Sequence, residues 1–197
     1  MVLTTAYFPP IEYFAILAKY SLVYIEAHEN YQKQSYRNRC HFCADNGMQS
    51  LNVPVVHENG TFSLPITEIK VDYSTPWLLR SQRAIESAYS SSPFFEYYRD
   101  ELFSIMDSRP ERLWDLNAAI TDFFIRKIGL KVSIVPTASF EDVVPDEDMR
   151  FSIHPKKPSQ YVTKRYYQVF SERNGFLGNL SVMDLLFNEG PESICYL

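Results

Sequence analysis

The residues best equipped for chemistry in this chain lie between positions 26 and 43. His28 stands between Glu26 and Glu29, and an imidazole with a carboxylate neighbour can serve as a general base near neutral pH, because the carboxylate orients the ring. The plainer alternative is a surface histidine bonded within its own loop. Shortly after it, Lys33, Arg37 and Arg39 gather positive charge in one short stretch. Guanidinium groups grip phosphate or carboxylate with paired N–H donors and lysine adds a point charge, so this stretch is expected to hold an anion such as a sugar phosphate or a nucleotide. On a strand, Arg37 and Arg39 would share one face and Asn38 would take the other. The same charges equally suit a solvated edge strand protected against aggregation.

Cys40 and Cys43 form a C-x-x-C, but there is no second pair to complete a tetrahedral zinc site, and the spacing puts the two thiols on opposite faces of a strand, so no metal is expected. Phosphate-binding loops, nucleophile elbows and dinucleotide fingerprints are all absent, and no cofactor is indicated. Further candidates stand where elements meet. Tyr7 ends a first strand, Asp72 ends a later extended stretch, and Trp77 opens a helix and offers a face for stacking on a base or sugar. With Glu26 or Asp72 orienting His28, and Tyr7, Lys33, Arg37, Asn38, Arg39 and Trp77 holding substrate, these residues make up the expected site. Glu189 near the C-terminus, and His154 with Lys156 and Lys157 in a proline-rich loop, are secondary candidates.

The elements that must position them read as follows. Residues 2–7 and 21–26 are extended, and the apolar face of Ile11, Phe14, Ala15, Leu17 and Ala18 between them is helical; Pro9 and Pro10 end the first strand. That order predicts a βαβ unit. Asp45-Asn46-Gly47 between two extended runs predicts an antiparallel hairpin. Residues 65–73 read as another extended stretch, 77–91, 94–106 and 110–128 as helices, 131–136 as a buried strand, 143–158 as a loop or flap, and 181–187 as a short helix. Together they predict a single α/β domain over 1–197, with the helical second half packed on the sheet.

Composition limits the function. The 197 residues are 46% hydrophobic, enough for a full core, and carry 14 Tyr and 14 Phe. A formal net charge of -5 argues against sequence-independent nucleic-acid binding, which draws its affinity from neutralised phosphates. The apolar runs are too short to span a bilayer, the start lacks a basic leader, and the odd number of cysteines does not resemble a secreted disulfide framework. These features predict a cytoplasmic protein in which any anion site is local, so that an anionic small molecule is the partner expected at Lys33, Arg37 and Arg39; nothing in them fixes an oligomeric state.

Three segments also carry a resemblance. Tyr7 to Phe14, Lys33 to Arg39 leading into Leu51 to Val55, and Asn179 to Pro191, joined by Trp77, Arg83, Ile85, Tyr89, Pro93, Phe94 and Asp115-Leu116-Asn117, resemble the WbqC-like family. The chain departs from that pattern at its start, where Thr4-Thr5-Ala6 stands in place of the His-Gln-Pro of many relatives. The resemblance implies a role in bacterial surface-polysaccharide or related small-molecule biosynthesis, as a group-transfer enzyme on a phosphorylated or nucleotide-linked substrate. A non-catalytic scaffold for a biosynthetic complex is the alternative.

Overall fold

A computed structural model describes residues 1–57, 61–142 and 148–197. Strand β1 (Val2–Thr4) runs into Pro9 and Pro10, and Pro10, fixed at φ -69°, starts helix α1 (Ile11–Leu17). A proline fits there because the first N–H groups of a helix have no partner within it. Every residue of α1 is buried. The chain returns through β2 (Leu22–Glu26), parallel to β1 with Leu3 opposite Ile25 and Thr4 opposite Glu26. This is the expected βαβ unit.

Strands β3 (Arg39–Ala44) and β4 (Gly47–Asn52) form the expected hairpin as a separate two-stranded sheet. Gly47 takes φ +100° at the start of the return strand, so Asp45 and Asn46 form the loop. Residues 65–73 do not form the predicted strand. Ile66–Glu68 coil into a short 3-10 helix, and the rest makes single bridges, Asn30 with Pro65, Val55 with Val71 and Lys70 with Arg112. Pro65 at its start and the poor alternation of apolar residues favour this irregular path.

Three helices follow: α2 (Trp77–Tyr89), α3 (Phe95–Asp107) and α4 (Leu113–Ile128). α4 ends at Gly129 with φ +81°, a left-handed closure suited to glycine. Strand β5 (Ser133–Pro136) then pairs parallel to β2, giving the order β1-β2-β5. β5 is not the buried strand the sequence suggested: Ser133, Val135 and Pro136 are exposed, the first two on the open sheet face they share with their partners Leu22 and Tyr24. On the neighbouring strand, Leu22 and Tyr24 face solvent on alternate positions from buried Val23 and Ile25.

A short turn, α5 (Ser171–Asn174), precedes α6 (Val182–Glu189), whose first seven residues are all buried. The tail reaches back to the start of the chain: Ile11 N–H donates to Leu180 O at 2.9 Å and Val182 N–H to Pro9 O at 2.8 Å. One aromatic core joins the layers, with Phe8 and Phe14 edge-on to Phe124, and Tyr89 and Phe95 edge-on to Phe187. No described helix is long and apolar enough to cross a membrane.

Gly190, which ends α6, has φ +56°, and a Cβ there would lie 2.5 Å from the Phe94 ring. Gly190→Ala is therefore expected to lower unfolding stability by about 2–4 kcal/mol, read as a lower urea midpoint.

Candidate functional site

All three parallel strands end on the same side, and ligands of open α/β sheets bind outside such carboxyl ends. Glu26, the last residue of β2, is 1% exposed and sits at the centre of this end. Its Oε1 accepts from the backbone N–H of His28 at 2.9 Å and from the hydroxyl of Thr137, just beyond β5, at 2.8 Å. Its Oε2 is paired with Arg150 Nη1 at 3.0 Å. Arg150 is itself buried, grips Asp148 through Nε and Nη2, and lies between the rings of Phe140 and Phe151. Because Met149 N–H bonds Val2 O at 3.0 Å, Arg150 ties the segment beside β1 to the middle strand. The Arg150 guanidinium holds the Asp148 carboxyl below the usual range.

His28 is thus held at two points. Its N–H rests on Glu26, and its ring Nε2 lies 3.1 Å from Thr137 O. A carbonyl only accepts, so Nε2 carries the proton and Nδ1 keeps its lone pair in the neutral ring. Nδ1 meets no partner among the described residues. Glu26 therefore positions the residue through its backbone and does not touch the ring. Asp72 has other neighbours: half-buried in the segment before α2, it is bonded by the Ser74 side chain and, at 2.8 Å, by the Ser74 N–H, which lower its pKa, and no bond joins it to His28 or Glu26.

The expected cations separate. Arg37 precedes β3 and is 2% exposed, with Nε donating to Glu29 Oε1 at 2.8 Å and Nη2 in a second bond to Glu29 Oε2. Burial nonetheless raises the Glu29 pKa, outweighing the guanidinium. Arg39 lies nearer the surface with Nε on Asn52 Oδ1 at 2.8 Å, Asn38 donates to Val53 O at 2.9 Å, and Lys33 is exposed. The proline-rich loop reaches this stretch through Lys156 Nζ, which bonds Gln34 Oε1, while Lys157 Nζ bonds Phe151 O of its own loop at 2.7 Å. Burial and the charges of Arg37, Lys157 and Lys156 hold the His154 pKa below its ordinary value. Residues 143–147 of that loop lie outside the described residues.

Beside the strand ends a cleft of about 330 Å³ opens between the sheet and α4. Ile25, Ile134 and Pro136 form its sheet wall, and Trp114, Ala118 and Ile125 its helix wall. Its polar lining is Thr5, Tyr13, Asn117 and Thr121, with exposed Asp122 at the rim. Asn117 is fully buried; its Nδ2 donates to Arg37 O at 2.8 Å, which fixes the amide orientation and leaves Oδ1 without a partner among the described residues. A buried acceptor left so costs about 1–3 kcal/mol. Tyr7 and Trp77 are also buried, and the Tyr7 hydroxyl and Trp77 Nε1 are likewise unpaired among the described residues. Neither lines the cleft; Trp77 stacks on Tyr73 at 5.7 Å.

The remaining candidates are structural. Glu189 accepts from Tyr167 N–H at 2.8 Å, and Cys40 and Cys43 are buried thiols. Among the described residues, no three His, Cys, Asp or Glu side chains group as metal ligands. Sequence reasoning missed Arg150, Asp148 and Thr137, which carry no periodic signal, and passed over Asp184. That carboxylate is buried in α6 with no cation beside it among the described residues and accepts from Tyr89 at 2.9 Å and Tyr166 at 2.6 Å; burial pushes its pKa up to about 6.

Fold and site together define an α/β domain with a cleft beside the carboxyl end of a short parallel sheet. The chain belongs to the WbqC-like protein family, whose model matches residues 5–152. It is 26% identical to Rv1507c, an uncharacterized protein of Mycobacterium tuberculosis, across 97% of this chain and 94% of that one. No solved structure matches it.

Two measurements test the buried charges. Arg37→Ala leaves Glu29 buried and alone and is expected to cost about 3–5 kcal/mol in urea unfolding, whereas Arg37→Met with Glu29→Gln recovers much of the loss. Because the folded-state pKa of Asp184 is raised to about 6, its contribution to stability is full below the unfolded value and is lost as pH rises through 6. Wild type should therefore gain on Asp184→Asn by on the order of 2–3 kcal/mol between pH 7 and pH 4, measured by parallel denaturation curves.

Proposed function

We propose that this protein is a group-transfer enzyme acting on a phosphorylated or nucleotide-linked small molecule in bacterial surface-polysaccharide assembly, with His28 as general base. The observation that carries the reading is the held imidazole: Nε2 is committed to Thr137 O while Nδ1 keeps a free lone pair. Thr137 and Glu26, which hold His28, line a cavity of about 330 Å³ together with Tyr24 and Glu141, at the lower end of the usual ligand range and distinct from the cleft beneath α4. Thr137 and Glu26 position His28 and take no part in the proton transfer. Lys33, Arg39, Lys156 and Lys157 supply the positive surface for the anionic group, while Arg37 braces the loop through Glu29. The polysaccharide setting is supported by the family resemblance alone.

A second reading, a non-catalytic scaffold, is favoured by one observation. Leu22, Tyr24 and Val135 are about two-fifths exposed on one face of the parallel sheet, whereas parallel sheets are ordinarily covered on both faces.

Thermal melts with a panel of nucleotide-sugars and acyl donors test the two readings, since a ligand that binds the native state raises its melting temperature. Stabilisation by a member of the panel, with turnover of it lowered at least about 100-fold in His28→Gln, is the expected result. Unchanged turnover in that variant removes the base, and a panel without any stabilising member favours the scaffold.

A further inference from the structure

We infer that the open face of the parallel sheet seats a short hydrocarbon chain of the substrate, an acyl or alkyl group, whose uncharged polar end lies in the pocket beside His28. The inference rests on the group-transfer reading for the occupant's role, and adds that the substrate is amphipathic. Leu22 and Tyr24 stand two residues apart on β2, about 7 Å along the strand. Val135 is the β5 partner of Tyr24, so the three side chains share one face, and each is about two-fifths exposed.

Tyr24 belongs to two surfaces at once. It is part of this apolar strip, and it also lines the pocket formed with Val2, Glu26, Thr137, Ser139 and Glu141. The strip therefore runs along the strands from Leu22 to the end where Glu26 and Thr137 hold His28. Glu26 and Thr137 are spent on each other, on His28 and on Arg150, so the groups open to a ligand at that end are the exposed Ser139 and Glu141. No Lys, Arg or His side chain lines the pocket. A hydroxyl-bearing head without charge suits it, since a carboxylate accepts and a serine hydroxyl does either. Hydrocarbon suits the other end, because covering partly exposed apolar side chains removes their surface from water.

Size selects among occupants. Three partly exposed side chains offer on the order of 200 Å² of apolar surface, whereas each partner in a stable protein–protein interface buries roughly 800 Å². A second copy or a partner chain would gain little from this strip, and a single hydrocarbon chain laid over it covers most of it.

Methyl, butyl and hexyl glucosides, kept below micelle-forming concentrations, share one uncharged head and differ in chain length. With the wild-type chain, Kd is expected to fall about twofold per added methylene, against the roughly fourfold of full burial, or about 30-fold from methyl to hexyl. The amide shifts of Leu22, Tyr24 and Val135 should move as hexyl glucoside saturates. Leu22→Ser with Val135→Ser alters two exposed side chains and is expected to flatten the series. A flat series in the wild type overturns the inference, and so does a slope that survives both substitutions. A wild type that sediments as a dimer and turns monomeric in Leu22→Asp also overturns it, by giving the strip to a second copy. No turnover enters the binding measurement: a flat series beside turnover that still depends on His28 removes the strip and leaves the base, while a slope kept in His28→Gln supports the strip even where the base fails.

Discussion

The carboxylate of Glu26 is the constraint around which this molecule is arranged. It ends the middle strand and engages the start of the His28 loop, the residue after β5, and the arginine of the segment running beside β1. Taking two ions out of water costs several kcal/mol each, so the pair with Arg150 adds little net stability over an apolar replacement. What it supplies is geometry. Once the charge is buried, every lone pair needs a donor, and the donors come from three separate parts of the chain. The loop carrying His28 is held at its first turn for that reason, although it lies at the surface.

A second buried carboxylate organises the opposite half. Asp184 in α6 gathers Tyr89 from α2 with Tyr166 and Gln168 from the tail, using neutral donors where Glu26 uses a cation. Between these two centres runs the aromatic core, with Phe124 on one side and Phe187 on the other. The N-terminal turn bridges them. Phe8 is held at φ +45°, an unusual conformation for a bulky residue, and is wholly buried where the segment before α6 meets Pro9 and Pro10. Such strain persists only where surrounding packing enforces it.

Local signals were legible in the chain and long-range ones were not. Pro10 as a helix start, Gly129 as a helix end and the Asp45-Asn46-Gly47 turn act through backbone sterics within a few residues, so their effects could be read from sequence. The helices and the βαβ unit followed from periodicity. Ser133 to Pro136 misled because an apolar run does not reveal which sheet face will be covered: Val135 shares the open face of its partner Tyr24. Residues 65–73 carry an alternation too weak to prevail over the proline at their start, which caps a 3-10 turn. For the site, position after a parallel strand singled out His28 and Glu26. Whether a nearby arginine faces solvent or a carboxylate depends on the fold: Arg37 found Glu29, while Arg150, 124 residues from Glu26 in sequence, found its partner through topology. The cleft has no linear signature, since Thr5, Asn117 and Ile134 meet only after α4 has docked on the sheet.

The family match ends at residue 152, but the packing does not. Leu180, Val182, Met183, Leu185, Leu186 and Phe187 are at most 1% exposed, and the strand-like contact of Ser181 with Pro10 closes the turn that launches α1. A polypeptide cut at the edge of the recognised region would leave that greasy surface open to water, and would lose the seat of the first helix along with it. The boundary drawn by sequence likeness is therefore not a boundary of cooperative folding, and relatives should be set side by side over their whole length when one asks which side chains co-evolve around the interior.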